Sequence, residues 1–185
     1  MREPSRSTFT TVHLRVVKPG RYGHCMSASP GRRALAEALR HVGVREVPPG
    51  SNHTMFGRWF GADGVPWCAI FASYCFDVGA GVVLCRGWHG AGVGPRGVAY
   101  VPTLAAWLKA TGRWVTEPRA GDLVIFDWDG GLPDHVGIVV SVAGDDLHTV
   151  EGHRDRERFE RRRGDAAGAP SPAGIRLRPR LAQLV

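Results

Sequence analysis

After residues 1–28, which show no sustained period, the helical segments up to about residue 112 carry apolar positions every three or four residues and the segments after it every second residue, so helices are predicted first and strands second. In MSASPGRRALAEALRHVG, residues 26–43, Ser29 suits a helix cap and Pro30 the first helical position, and Leu35, Ala38, Leu39 and Val42 share one face. Gly43 ends that helix. The loop VREVPPGSN leads to a short helix around NHTMFGRWF, with Met55, Phe56, Trp59 and Phe60 expected inward. The turn GADGVPWC then feeds an apolar helix opened by Pro66. Residues 79–100 are rich in glycine and read as a long loop, functional or mobile. Pro102 and Thr103 begin a further helix, PTLAAWLKATG, closed by Gly112.

Beyond Gly112 the segments RWVTEP, GDLVIFDWD, HVGIVVSV and DLHTVEG alternate across short turns, followed by ERFERRR and AGIRLRP. Helices followed by an antiparallel sheet define the α+β class. One domain is expected over residues 29–163, after a disordered leader at 1–28 in which Met26 is an alternative start. Residues 164–185 read as a basic tail, flexible around GAPSPAG, with a final strand.

With 185 residues, 43% of them hydrophobic, the chain encloses one core of ordinary size. The net charge of +7 belongs to the ends, because residues 31–153 carry 10 basic and 12 acidic residues. The arginine-rich tail lacks aromatic stacking positions, so no nucleic acid is expected as a partner. No run of about 18 apolar residues is present for a membrane span, and the N-terminus has no apolar stretch of a secretory signal. Localisation is left open, and the chain is expected to be a monomer.

The four cysteines form no CxxC pair, and no HxxxH or HExxH spacing occurs, so no metal is predicted. Asp127, Asp129 and Asp134 lack calcium-loop spacing, and no cofactor is expected. Cys68 and Cys75, seven apart on a helix, lie about 10 Å apart along its axis and are expected as free thiols. Cys75 sits in the helix interior and reads as core. Cys68 falls at the helix start, where unpaired N–H groups and the dipole favour a thiolate, though a buried structural thiol is the competing reading. His135 opens a strand whose members Val136, Ile138, Val140 and Val142 are expected to be buried, which turns His135 to the other, less bulky face with Gly137, Val139 and Ser141. Glu151 joins it there if the turn Ala143–Gly144–Asp145 has three residues, which pairs 137 with 151 and 135 with His153. A two-residue turn would send Glu151 to the opposite face. Trp67 and Trp128 are candidates for a substrate cleft or for core.

DGVPWCAIFASYCF, GDLVIFDWDGGLPDHVGIVVSV and HTVEG resemble, in order and spacing, the three motif blocks of CHAP domains, the cysteine, histidine-dependent amidohydrolases/peptidases. The similarity runs from about Ala34 to Arg163, and PPGSNHTMFGRWFG looks like the actinobacterial branch. It implies a papain-like (NlpC/P60-like) fold, with Cys68 as nucleophile, His135 as general base and Glu151 orienting the imidazole. It further implies peptidoglycan or its peptide stems as partner, cut as an N-acetylmuramoyl-L-alanine amidase or an endopeptidase. Delivery to the wall would then need a holin, specialised secretion or lysis. Relatives acting on glutathionyl-polyamine conjugates supply a second reading. A third, a wall-binding module, follows from one departure: EGH stands where the family commonly has EGN. His153 replaces that Asn with a ring N–H, weakens the site by a like charge, or lies outside it.

Overall fold

The computed structural model describes residues 28–127, 131–143, 146–152 and 181–182. Helix α1 (Pro30–Arg40) starts as its sequence dictates, with Ser29 Oγ accepting the Arg32 N–H and Pro30 in the first turn. Its buried face is Gly31, Ala34, Leu35, Glu37 and Ala38, whereas Leu39 and Val42, expected on that face, are exposed. Small residues decide this orientation, because α1 lies close along α3 (Cys68–Ala80). A Cβ at Gly79 of α3 would come within 2.6 Å of the Glu37 Cβ. The Glu37 carboxylate thus enclosed binds Arg40 Nη1 at 2.8 Å and His41 Nε2 at 3.0 Å.

Helix α2 (Met55–Phe60) is capped by Thr54, whose Oγ1 accepts the Gly57 N–H at 3.0 Å. Phe56 is fully buried, Trp59 and Phe60 are half-buried, and Met55, expected inward, is exposed. Helix α3 is covered by α1, by α2, by the sheet and by the glycine-rich segment, which accounts for its nearly all-round apolar sequence.

That segment is not the free loop its composition suggests. It contains the hairpin β1 (Val93–Gly94) and β2 (Gly97–Val98), and Leu84, Cys85 and Val98 are fully buried. Ser73 Oγ of α3 donates to the Val98 carbonyl at 2.9 Å and accepts the Val98 N–H at 3.0 Å. Gly97, at φ 125°, makes this approach feasible, since a Cβ there would sit 2.6 Å from the hydroxyl. Glycine here serves close packing rather than mobility.

After helix α4 (Val101–Ala110) come β3 (Trp114–Val115), β4 (Leu123–Phe126), β5 (His135–Ala143), β6 (Asp146–Glu151) and β7 (Leu181–Ala182). They form one antiparallel sheet in the order β3-β7-β4-β5-β6. The segments ERFERRR and AGIRLRP lie outside the described residues. Leu123, Ile125, Val136 and Ile138 join the helices in the main core. On the opposite face Val124, Phe126, Val139 and Leu147 form a second apolar cluster, where smaller, more open positions were expected. Among the described residues no helix is long and apolar enough to cross a membrane.

Candidate active site

Pro66, expected to open α3, lies just outside it. Trp67 is the N-cap, its carbonyl accepts the Phe71 N–H at 2.8 Å, and Cys68 is the first helical residue. No side chain caps this end. The N–H groups of Cys68, Ala69 and Ile70 precede the first intrahelical bond and converge on the space before the helix, a position that favours negative charge. Cys68 is 4% exposed and, like Cys75 and Cys85, is a free thiol. Burial, aided by the charge of Glu37, pushes the Cys75 thiol well above the usual range. Burial alone pushes Cys85 up to about 12, so both are inert core thiols at neutral pH.

His135 and Glu151 meet on one face of the sheet by a route the sequence reading did not foresee. The β5–β6 turn has two residues, because Ala143 pairs with Asp146 and Val142 with Leu147. Carried on unbroken, that register would set Glu151 opposite Ile138, on the helix side. A bulge between Val139 and Ser141 absorbs one residue, so that Val139 pairs with Thr149 and Gly137 with Glu151. The bulge also explains why Val142, expected in the core, is exposed, whereas Val139, ahead of the bulge, is buried in the second cluster.

Glu151 Oε2 lies 3.0 Å from His135 Nε2, and both side chains are almost enclosed, 11% and 12% exposed. Thr149 Oγ1 donates to the other carboxylate oxygen. The imidazole leans on Phe126, with ring centroids 5.6 Å apart. With Nε2 engaged by Glu151, Nδ1 is the ring nitrogen left for the neighbouring Cys68. Burial pushes the His135 pKa down, but the hydrogen bonds to Cys68 and Glu151 and the charges of both outweigh it and raise the pKa to about 9.

Trp67 is 6% exposed and stacked on Phe56, so its ring belongs to the core rather than to an open cleft. Trp128 and His153 lie outside the described residues. Of the other described histidines, His41 pairs with Glu37, His53 pairs with Asp63, and His89 and His148 are exposed. Among the described residues no three His, Cys, Asp or Glu side chains gather as metal ligands. Two contributors escaped the sequence reading. Thr149 was detectable, since residues two apart on a strand share a face. Glu46 was not: its Oε1 accepts the Trp67 Nε1–H at 2.9 Å across 21 residues, and no local pattern links the two.

A cysteine opening a helix that packs on an antiparallel sheet, with a histidine opening the strand it meets, is the plan of a papain-like α+β fold. The CHAP domain family matches residues 60–153, half of the chain, and the protein belongs to that family, whose members are generally amidohydrolases and peptidases. A solved structure described as "The crystal structure of Ly7917" is similar at 23% identity and a TM-score of 0.38, over 69% of this chain and 53% of that one. The chain thus spans about half the length of that protein. No curated protein matches it.

Proposed function

We propose that the protein hydrolyses an amide bond of peptidoglycan, either between muramic acid and the peptide stem or within the stem, through Cys68, His135 and Glu151. The observation that carries this reading is the His135 ring, held by the Glu151 carboxylate at 3.0 Å and set beside Cys68 at the N-terminus of α3. Membership of the CHAP family supports the choice of an amide as the bond cut.

His135 takes the thiol proton, and the Cys68 sulfur attacks the amide carbonyl carbon. The oxyanion that forms faces the N–H groups of the first turn of α3. Collapse of the adduct breaks the C–N bond as His135 gives its proton to the leaving amine, and a thioester remains on Cys68. Water attacks that thioester while passing a proton to His135, and the thiolate departs. Glu151, held by Thr149, fixes the ring orientation and offsets the imidazolium charge in both halves.

The test is release of soluble fragments from purified peptidoglycan by wild type, Cys68→Ala and His153→Asn, with mass spectrometry of the new termini. Release that falls about a thousandfold or more in Cys68→Ala is expected, and the termini name the bond. Release unchanged in Cys68→Ala overturns the thiol mechanism. Turnover of a glutathionyl-polyamine conjugate with none of peptidoglycan moves the substrate. Retention on peptidoglycan without hydrolysis, unaltered by Cys68→Ala, identifies a binding module. Activity gained only in His153→Asn marks a site weakened at that position.

A further inference from the structure

The indole of Trp67 joins the parts of the molecule that the reaction needs in register. As N-cap of α3, Trp67 is bonded directly to Cys68. Its ring stacks on Phe56 with centroids 5.5 Å apart and planes 15° from parallel. Gly152, the residue after Glu151, lies so close that a Cβ there would come within 2.8 Å of the ring atoms Cε3 and Cζ3. One side chain therefore touches both the segment carrying the nucleophile and the strand end carrying the carboxylate.

What fixes that ring is Glu46. Its Oε1 accepts the Trp67 Nε1–H at 2.9 Å, and its Oε2 accepts the Asn52 N–H at 2.9 Å. Asn52 makes its bond from a left-handed backbone, φ 59°, which asparagine tolerates better than most residues. The loop from Glu46 to Asn52 is thereby folded back on its own carboxylate, which anchors the indole. The cis Val47–Pro48 bond lies within this loop.

We infer that Glu46 is a positioning residue: acting through the Trp67 indole, it holds the turn before α3, and with it the Cys68 sulfur, at the correct separation from His135 and Glu151. This rests on the reading of Cys68 and His135 given above. Glu46→Gln nearly preserves size but offers one acceptor oxygen to two N–H donors, so one of the two bonds must fail. Trp67→Phe retains an aromatic ring and removes the indole donor.

The experiment measures, in the full chain, the rate at which iodoacetamide alkylates Cys68, followed by mass spectrometry of its peptide and expressed per folded protein. Fragment release from peptidoglycan is measured alongside it. Glu46→Gln is expected to slow alkylation and to lower kcat about tenfold or more, with KM within about twofold. Trp67→Phe is expected to do the same, and adding Glu46→Gln to Trp67→Phe should change alkylation little, because the indole bond through which Glu46 acts on the turn is already gone. Wild-type alkylation in Glu46→Gln overturns the inference, as do fully additive effects. Faster alkylation overturns it too, since the carboxylate would then oppose the thiolate by charge rather than hold the turn. If Glu46→Gln fails to fold, Trp67→Phe decides alone, and wild-type alkylation in it overturns the inference. Hydrolysis that survives Cys68→Ala removes the catalytic reading instead, an outcome separable because alkylation reports on the turn without a substrate.

Discussion

Glu151 reaches His135 because residue 137, its partner across the strands, carries no side chain. A Cβ at Gly137 would lie 2.8 Å from the Glu151 Cγ, closer than carbon atoms settle, and 3.4 Å from Thr149 and Val124. Gly137→Ala is therefore expected to turn the carboxylate away, lower kcat about ten- to a hundredfold and cost about 1–3 kcal/mol of stability. Wild-type turnover in the folded variant would show that Glu151 has another way to the ring. The His135 proton supplies a second test. Burial opposes that proton, and the bonds and charges of Cys68 and Glu151 hold it up to about pH 9. A histidine whose folded pKa is raised binds its proton more tightly folded than unfolded. The stability from these partners is thus fully present below the ordinary value of 6.5 and is lost as pH rises through about 9. Activity that needs the imidazolium should fall along the same alkaline limb. Glu151→Gln removes one of the raising partners, so the limb should move to lower pH by about one unit. A pH profile of fragment release, or NMR titration of the ring, reads this, and an unmoved limb would leave Cys68 alone holding the proton.

At the scale of elements, parity along β5 and β6 decides whether a site exists at all. The sequence makes His135, Gly137 and Val139 one face of a strand, and it makes Glu151 a member of the next strand. It does not disclose how many residues the turn contains or whether the ladder is regular. A two-residue turn plus one bulge gives the same pairing at the site as a three-residue turn without a bulge, and two such errors cancel in a reading made from alternation alone. Deleting Val140 tests this counting. The shortened strand can keep Ala143 opposite Asp146 and Gly137 opposite Glu151 as one regular ladder, so the site should survive. Fragment release within about tenfold of wild type is expected, with a stability loss of about 1 kcal/mol for the half-buried valine. Abolished activity in a folded protein would mean that the bend made by the bulge, and not only its extra residue, aims the strand. The same limit explains α1. Periodicity marked the residues able to face inward, but the small residues Ala34 and Ala38 are buried in place of Leu39 and Val42, and α3 comes close along that face.

For the whole molecule, the site is a meeting of two layers, with Cys68 from the helices and His135 and Glu151 from the sheet. The motif blocks made the members of the candidate site legible, since each block carries one of the three proposed residues. The distance between the blocks was not legible, because it is set by backbone approaches that leave no periodic trace. Two glycines set those approaches. At the site, a Cβ on Gly152 would meet the Phe71 Cβ at 2.6 Å and the Trp67 ring at 2.8 Å. In the other approach, a Cβ on Gly31 of α1 would meet the Gly121 carbonyl oxygen at 2.6 Å, beside the start of β4. Alanine at either place must force the layers apart or strain them, at a cost of about 1–3 kcal/mol. The two changes should differ in what they do to function. Gly152→Ala displaces the strand end that follows Glu151 and should lower kcat about a hundredfold in protein that is still folded. Gly31→Ala displaces α1 from the entrance to β4, remote in sequence from all three site residues, and should lower the denaturation midpoint while kcat per folded molecule stays within about threefold. Thermal melts paired with fragment-release assays on both variants separate the two. Equal losses of kcat at equal losses of stability would mean that the site depends on the packing of the whole helix layer, and not on the one contact between Gly152 and Trp67.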